Sequence, residues 1–262
     1  MRTSRILQSI LIGGVAVLVG AARVVPTAQQ TGPVLAAATS LVSTPAPASN
    51  PAASSPVAAS TKAALDALED LVRPLSHPRA LDEAFRGYYT YKAANPGQVK
   101  KPYLYFVDYG LPGTAKRGYV FDMERLKIVD GPFTVAHGSG SSSSKYGIPT
   151  RFSNSPGSGA TSLGLYLTQE TYGFTGHSGG RTYSSIGLRL KGLSGKFNSN
   201  ARARGVVAHG APYVTPSGSG RSQGCPAMEQ ARAKRLLPKI ANGSLVFLFA
   251  PNSNWMANDP WL

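Results

Sequence analysis

Apolar residues recur at helical spacing in one part of this chain and at strand spacing in another, and the change falls near residue 100. Leu65, Leu68, Leu71 and Val72 follow helical spacing until Pro74 ends the run. Leu81, Ala84, Phe85 and Tyr88 form a second stripe, which Asn95-Pro96-Gly97 stops. Two short helices packed on a main domain are therefore predicted over residues 62–98. From Tyr103 onward the runs are short and β-like: 103–108, 118–122, 132–136, 163–167, 186–190, 205–208 and 245–249, separated by Gly, Ser, Asn and Pro clusters. Such runs predict a mainly β domain of sandwich or barrel type over residues 99–262, with one internal helix over 227–240. The expected fold class is mainly β with accessory helices.

The N-terminal quarter differs in kind. Arg2 and Arg5 precede an uncharged apolar run from Ile10 to Ala22, the pattern of a secretory signal, so residues 1–25 read as a signal peptide or an N-terminal anchor. The run is short for a bilayer span, which takes about 20 apolar residues. Residues 26–61 are rich in Ala, Pro, Ser and Thr and read as a disordered linker. An exported protein of the periplasm or cell wall is expected, with membrane attachment only through an uncleaved N-terminal segment, and a monomer.

Charge narrows the partners. Lys and Arg number 27 against 12 Asp and Glu, a formal net charge of +15. The cations are scattered, and export removes most nucleic acid from reach. No nucleic-acid partner is expected, and an anionic extracytoplasmic polymer suits the charge better.

Cys225 is the only cysteine, within Ser222-Gln223-Gly224-Cys225-Pro226 and sixteen positions after His209. A lone thiol in an exported chain forms no internal disulfide, and exposed thiols oxidise. Its retention points to nucleophilic chemistry with His209 as base. A small buried hydrophobe is the competing reading. Pro226 suits the first position of a helix, so Cys225 is predicted at a helix N-cap, where free N–H groups stabilise a thiolate. The thiol is accordingly expected to be more acidic than its ordinary value of about 8.5. The N–H groups around Gln223 and Gly224 would face an oxyanion, and Ser222 would hold the loop or the substrate. No acid lies near His209 in sequence, so a backbone carbonyl, that of Gly210 being at hand, would orient the imidazole.

These residues carry a resemblance. His-Gly followed after about fifteen residues by Ser-x-Gly-Cys is similar to the signature of the L,D-transpeptidases that remodel bacterial peptidoglycan. Further blocks, among them Val135-Ala-His-Gly-Ser139, Leu163-Gly-Leu-Tyr166 and Ala203-Arg-Gly-Val-Val-Ala-His-Gly-Ala211, resemble the murein L,D-transpeptidase catalytic domain family (YkuD-like) over roughly residues 100–250. The resemblance implies Cys225 as nucleophile, His209 as base and Gly210 as orienter. It implies a β-rich fold, no cofactor, and stem peptides of peptidoglycan as substrate. The chain departs from the commoner signature at Gln223, Pro226 and Ala227, and no role of those side chains carries over.

His137 and His177 stand in Gly/Ser-rich loops and are candidate substrate contacts, as are Arg181, Arg204 and Arg221 for a carboxylate. Structural hydrogen bonding competes for each. Three histidines and a cysteine are zinc ligands by type, but their spacing matches no compact ligand motif and no metal is expected. Two enzymatic rivals remain, an L,D-carboxypeptidase and a cross-link-cleaving cysteine peptidase. A non-catalytic wall-binding module is the rival of another class.

Overall fold

A computed structural model describes residues 55–262. The segment read as a signal peptide or anchor and most of the stretch read as a linker lie outside the described residues. Helix α1 (Pro56–Leu68) starts inside the stretch read as linker, because Ser55 Oγ accepts the Ala58 N–H at 3.2 Å and Pro56 fills the first turn. After a 3-10 turn, helix α2 (Ala80–Ala94) carries the second apolar stripe. Among the described residues no helix is long and apolar enough to cross a membrane.

Strands β1 (Tyr103–Asp108) and β2 (Gly118–Asp122) form where the sequence places them, as does β12 (Leu245–Phe249). Every residue of β2 and β12 is buried, which explains their near-continuous apolar runs. Strand β3 (Lys127–Phe133) lies earlier than the predicted 132–136 run. It is the sheet's half-exposed edge, so its apolar signal is weak. Between it and β5 (Gly164–Ser178) runs the short β4 (His137–Gly138).

The largest difference concerns β5 and β6 (Arg181–Gly192), each far longer than predicted. They form an arm that turns at Gly179-Gly180, both at positive φ, as a tight two-residue turn requires. Gly173, Gly176 and several hydroxyl residues dilute the alternation, since one face of the arm is exposed and the other only half-buried. Strand β7 (Val207–Gly210) follows, then β8 (Val214–Thr215), β9 (Gly218–Ser219), β10 (Arg221–Ser222) and β11 (Ala227–Met228). Helix α3 (Gln230–Ile240) precedes β12, and α4 (Ser253–Asn258) closes the chain.

Eight strands form one mixed sheet in the order β11-β7-β6-β5-β12-β1-β2-β3, parallel only at β1/β12 and β11/β7. Two two-stranded ladders, β10-β4 and β8-β9, stand beside it. Helix α2 packs on β1 and β12, with the Phe85 ring edge-on to Phe121 at 5.4 Å, while α3 packs on β6 and β7. Phe106, Phe247 and Phe249 are fully buried at this centre, each worth about 1.5–3 kcal/mol. The mainly β domain with a preceding helical segment matches the sequence expectation.

Candidate functional site

His209 stands near the end of β7, level with Gly187 on β6 and Ala227 on β11. Its Nδ1 donates to the Gly210 carbonyl at 3.0 Å. That bond places the ring proton on Nδ1 and leaves Nε2 with a lone pair. The residue is 3% exposed, and burial pulls its pKa down to about 4, against a small upward pull from the Gly210 bond. At neutral pH the imidazole is an uncharged base. Gly210 is required where it stands: a Cβ there would lie 2.5 Å from Ser185 Oγ and 2.8 Å from Gln230 Cα. The ring of Phe174, from β5, stacks on His209 with centroids 4.2 Å apart and planes at 23°.

Cys225 sits at the end of a tight turn. Ser222 Oγ donates to the Cys225 carbonyl at 2.7 Å and accepts the Gly224 N–H at 3.1 Å. Gly224 adopts φ +114°, and a Cβ on it would meet the Ala160 carbonyl oxygen at 2.7 Å, so only glycine fits. The chain then enters β11, where Ala227 is level with His209. Cys225 therefore lies two residues along the chain from the row of the sheet that holds His209.

Three expectations are corrected here. Cys225 is not at a helix N-cap, because Ala227 and Met228 join the sheet and α3 begins only at Gln230 with Glu229 as its cap. Nor is the thiol acidified: burial pushes its pKa up, and the Val207 N–H and the Arg204 charge lower it by less. Its Sγ lies 3.8 Å from the Gly205 carbonyl oxygen. The predicted oxyanion role of Gly224 also changes, since its N–H is held by Ser222. Gln223 is exposed beside it.

The remaining candidates divide. His137 is fully buried rather than on a loop surface. Its Nδ1 faces Arg117 Nη2 at 3.0 Å, and since guanidinium only donates, His137 carries its proton on Nε2. Burial first, then the Arg117 charge, lowers its pKa to about 4. Arg117, also fully buried, donates to the Val135 and Leu111 carbonyls and stacks over the Tyr109 ring at 4.8 Å. Arg204 donates to the Ser153 and Ala160 carbonyls at 2.8 and 2.7 Å, tying the loop beneath Gly224. Arg221 clasps the Ser142 and Ser143 carbonyls, both at 2.9 Å. His177 belongs to β5, not to a loop, and is exposed near the arm's tip, one register step from Arg181.

A cavity of about 340 Å³ opens between the arm and the strand-linking loop, lined by Ser178, Arg181, Thr182, Tyr183, Pro212 and Tyr213. A larger one, about 750 Å³, lies where the arm meets α3, at Thr171, Ile186, Ala231 and Lys234, and does not include Cys225 or His209. Among the described residues no group of three or more His, Cys, Asp or Glu is placed to hold a metal ion. The sequence reading missed Phe174 and Arg117. Tyr172 and Phe174, two apart and hence on one face of a strand, were the available signal.

The domain is mainly β, with a buried histidine on β7 and the chain's single thiol in the turn that leads into β11. The chain belongs to the YkuD_2 family, the L,D-transpeptidase catalytic domain, whose family model matches residues 74–249. No curated protein matches it. Among solved structures it is similar to an L,D-transpeptidase from Mycobacterium smegmatis, at 13% identity and TM-score 0.36 over 57% of this chain and 59% of that one. It is similar also to an L,D-transpeptidase (Yku) from Stackebrandtia nassauensis, at 16% identity and TM-score 0.36, over 71% and 70% of the two chains. A third, residues 123–326 of the L,D-transpeptidase from Xylanimonas cellulosilytica, is 14% identical with TM-score 0.34 over 57% and 61%.

Proposed function

We propose that this protein is an exported cysteine acyltransferase that acts on peptidoglycan stem peptides in the periplasm or cell wall. The observation that carries the reading is the register of β7 with β11, which puts a neutral, carbonyl-anchored His209 level with Ala227, two residues along the chain from Cys225. His209 Nε2 takes the thiol proton as Sγ attacks the carbonyl that precedes a terminal D-Ala. The carbonyl electrons move to oxygen, where the N–H groups of Gln223 and Cys225 are the donors left by the Gly224–Ser222 bond. Collapse expels D-Ala, whose nitrogen receives the proton from His209, and leaves a thioester. An amine of a second stem then displaces the thiol and forms a cross-link. Water in its place gives carboxypeptidation or, on a cross-linked substrate, cleavage.

The test is incubation of the protein with purified tetrapeptide muropeptides, followed by mass spectrometry. Loss of D-Ala with a cross-linked dimer is expected, and neither should form with Cys225→Ala at unchanged thermal stability. Turnover retained in a folded Cys225→Ala protein overturns the thioester. Binding of muropeptides without turnover by the intact protein supports a wall-binding module instead.

A further inference from the structure

The structure assigns Phe174 a role in the reaction: it is a positioning residue, an aromatic clamp that holds the His209 imidazole in its working orientation. The inference rests on His209 acting as the base, as proposed above. Three strands build the clamp. Phe174 lies on β5, opposite Ser185 of β6; Gly187 lies on β6, opposite both Tyr172 of β5 and His209 of β7. Any side chain at position 187 would separate the β5 rings from the histidine. A Cβ there would stand 2.7 Å from Tyr172 Cε1 and 3.2 Å from Phe174 Cβ. The missing side chain is the opening through which a ring from β5 reaches across β6 to the histidine of β7.

The imidazole is thereby fixed twice. The Gly210 carbonyl holds Nδ1 and sets the tautomer, but one hydrogen bond leaves rotation about its own axis. The Phe174 face, stacked at 4.2 Å, removes that freedom and covers one side of the ring. Phe174 is held in turn, edge-on to Tyr172 at 6.3 Å and tilted against Tyr183 at 6.2 Å, with Tyr183 edge-on to Tyr213. Arg189 lies over Tyr172 at 4.1 Å and closes the far end of the row. The titratable groups around the pair are therefore Tyr172 and Tyr183 from the arm, Tyr213 from the following loop and the Cys225 thiol itself, with Arg189 behind Tyr172. No carboxylate bears on the imidazole, whose low pKa comes from burial that the Phe174 ring helps to provide.

The experiment compares Phe174→Tyr, Phe174→Leu and Phe174→Ala in the whole protein. Imidazole NMR follows His209 through pH 3.5–8, with the signal assigned by His209→Gln. In the intact protein and in Phe174→Tyr the imidazole should titrate near pH 4. In Phe174→Ala, where water reaches the exposed face, it should move up towards the ordinary value of about 6.5. The acid limb of kcat/KM should move with it. Phe174→Leu, which keeps apolar cover without a flat face, should hold the low titration yet lose about tenfold in kcat with KM unchanged. Unfolding temperature and far-UV circular dichroism identify any variant that fails to fold; if Phe174→Ala does, Phe174→Leu carries the comparison, and full kcat in it overturns the clamp. A His209 titration that is the same in folded Phe174→Ala as in the intact protein overturns the clamp, as does Phe174→Tyr behaving like Phe174→Ala. The NMR titration needs no turnover, so a protein that shows the shift but makes no product from muropeptides disproves the proposed reaction, and with it the role in catalysis, while the cover of Phe174 over the imidazole stands.

Discussion

His209→Gln separates a resting neutral pair from a resting ion pair. An imidazole held at about pKa 4 is protonated in roughly 0.1% of molecules at pH 7. The thiol is pushed above its ordinary value, so its thiolate fraction at pH 7 falls below the roughly 3% of a free cysteine with pKa about 8.5. Neither group finds a reason to hand its proton to the other until substrate arrives. The rate of alkylation by iodoacetamide, measured from pH 5 to 10, should therefore climb about tenfold per pH unit through neutrality, because only the thiolate reacts. At pH 7 it should stand below about 3% of the alkaline plateau. His209→Gln should change that profile by less than about twofold, since it removes a neutral neighbour, yet abolish turnover. A resting thiolate–imidazolium pair would instead hold the rate near its plateau well below pH 7, at least about thirtyfold faster at neutrality, and would lose that advantage in His209→Gln. Such a plateau would refute the reasoning from burial.

Gly224→Ala should cost turnover and stability together: a Cβ must meet the Ala160 carbonyl oxygen at 2.7 Å while the residue keeps φ +114°, a strain of about 1–3 kcal/mol that urea denaturation will measure. Stability should also fall on acidification, because buried His137 and His209 both have pKa lowered to about 4 from 6.5. Each favours folding fully above pH 6.5, and that contribution is lost as the pH falls from 6.5 through 4, by about 3 kcal/mol per histidine. Urea midpoints from pH 7.5 to 4 should show this decline, and His137→Gln should remove about half of it; an unchanged decline would contradict the neutral burial of His137.

Strands β1, β2 and β12 were legible from the chain alone, because strands buried on both faces must be almost wholly apolar, and 103–108, 118–122 and 245–249 are. The Gly210 carbonyl as partner of His209 and the tight turn at Ser222-Gln223-Gly224-Cys225 were legible too, since Gly-bounded turns and the lack of an acid near His209 are written in the residue types. Tertiary structure decided what depends on neighbours distant in sequence. Pro226 suggested a helix start by its intrinsic preference, but β7 offered Ala227 and Met228 a parallel ladder, and backbone pairing moved the helix start on to Gln230. The field of a helix terminus went with it. The sign of the thiol's shift then followed from burial, which no local pattern records. The burial of His137 against Arg117, and the reach of Phe174 over Gly187 to His209, arose in the same way. Each joins residues more than a turn apart in sequence, and only the register of the assembled sheet brings them to contact distance.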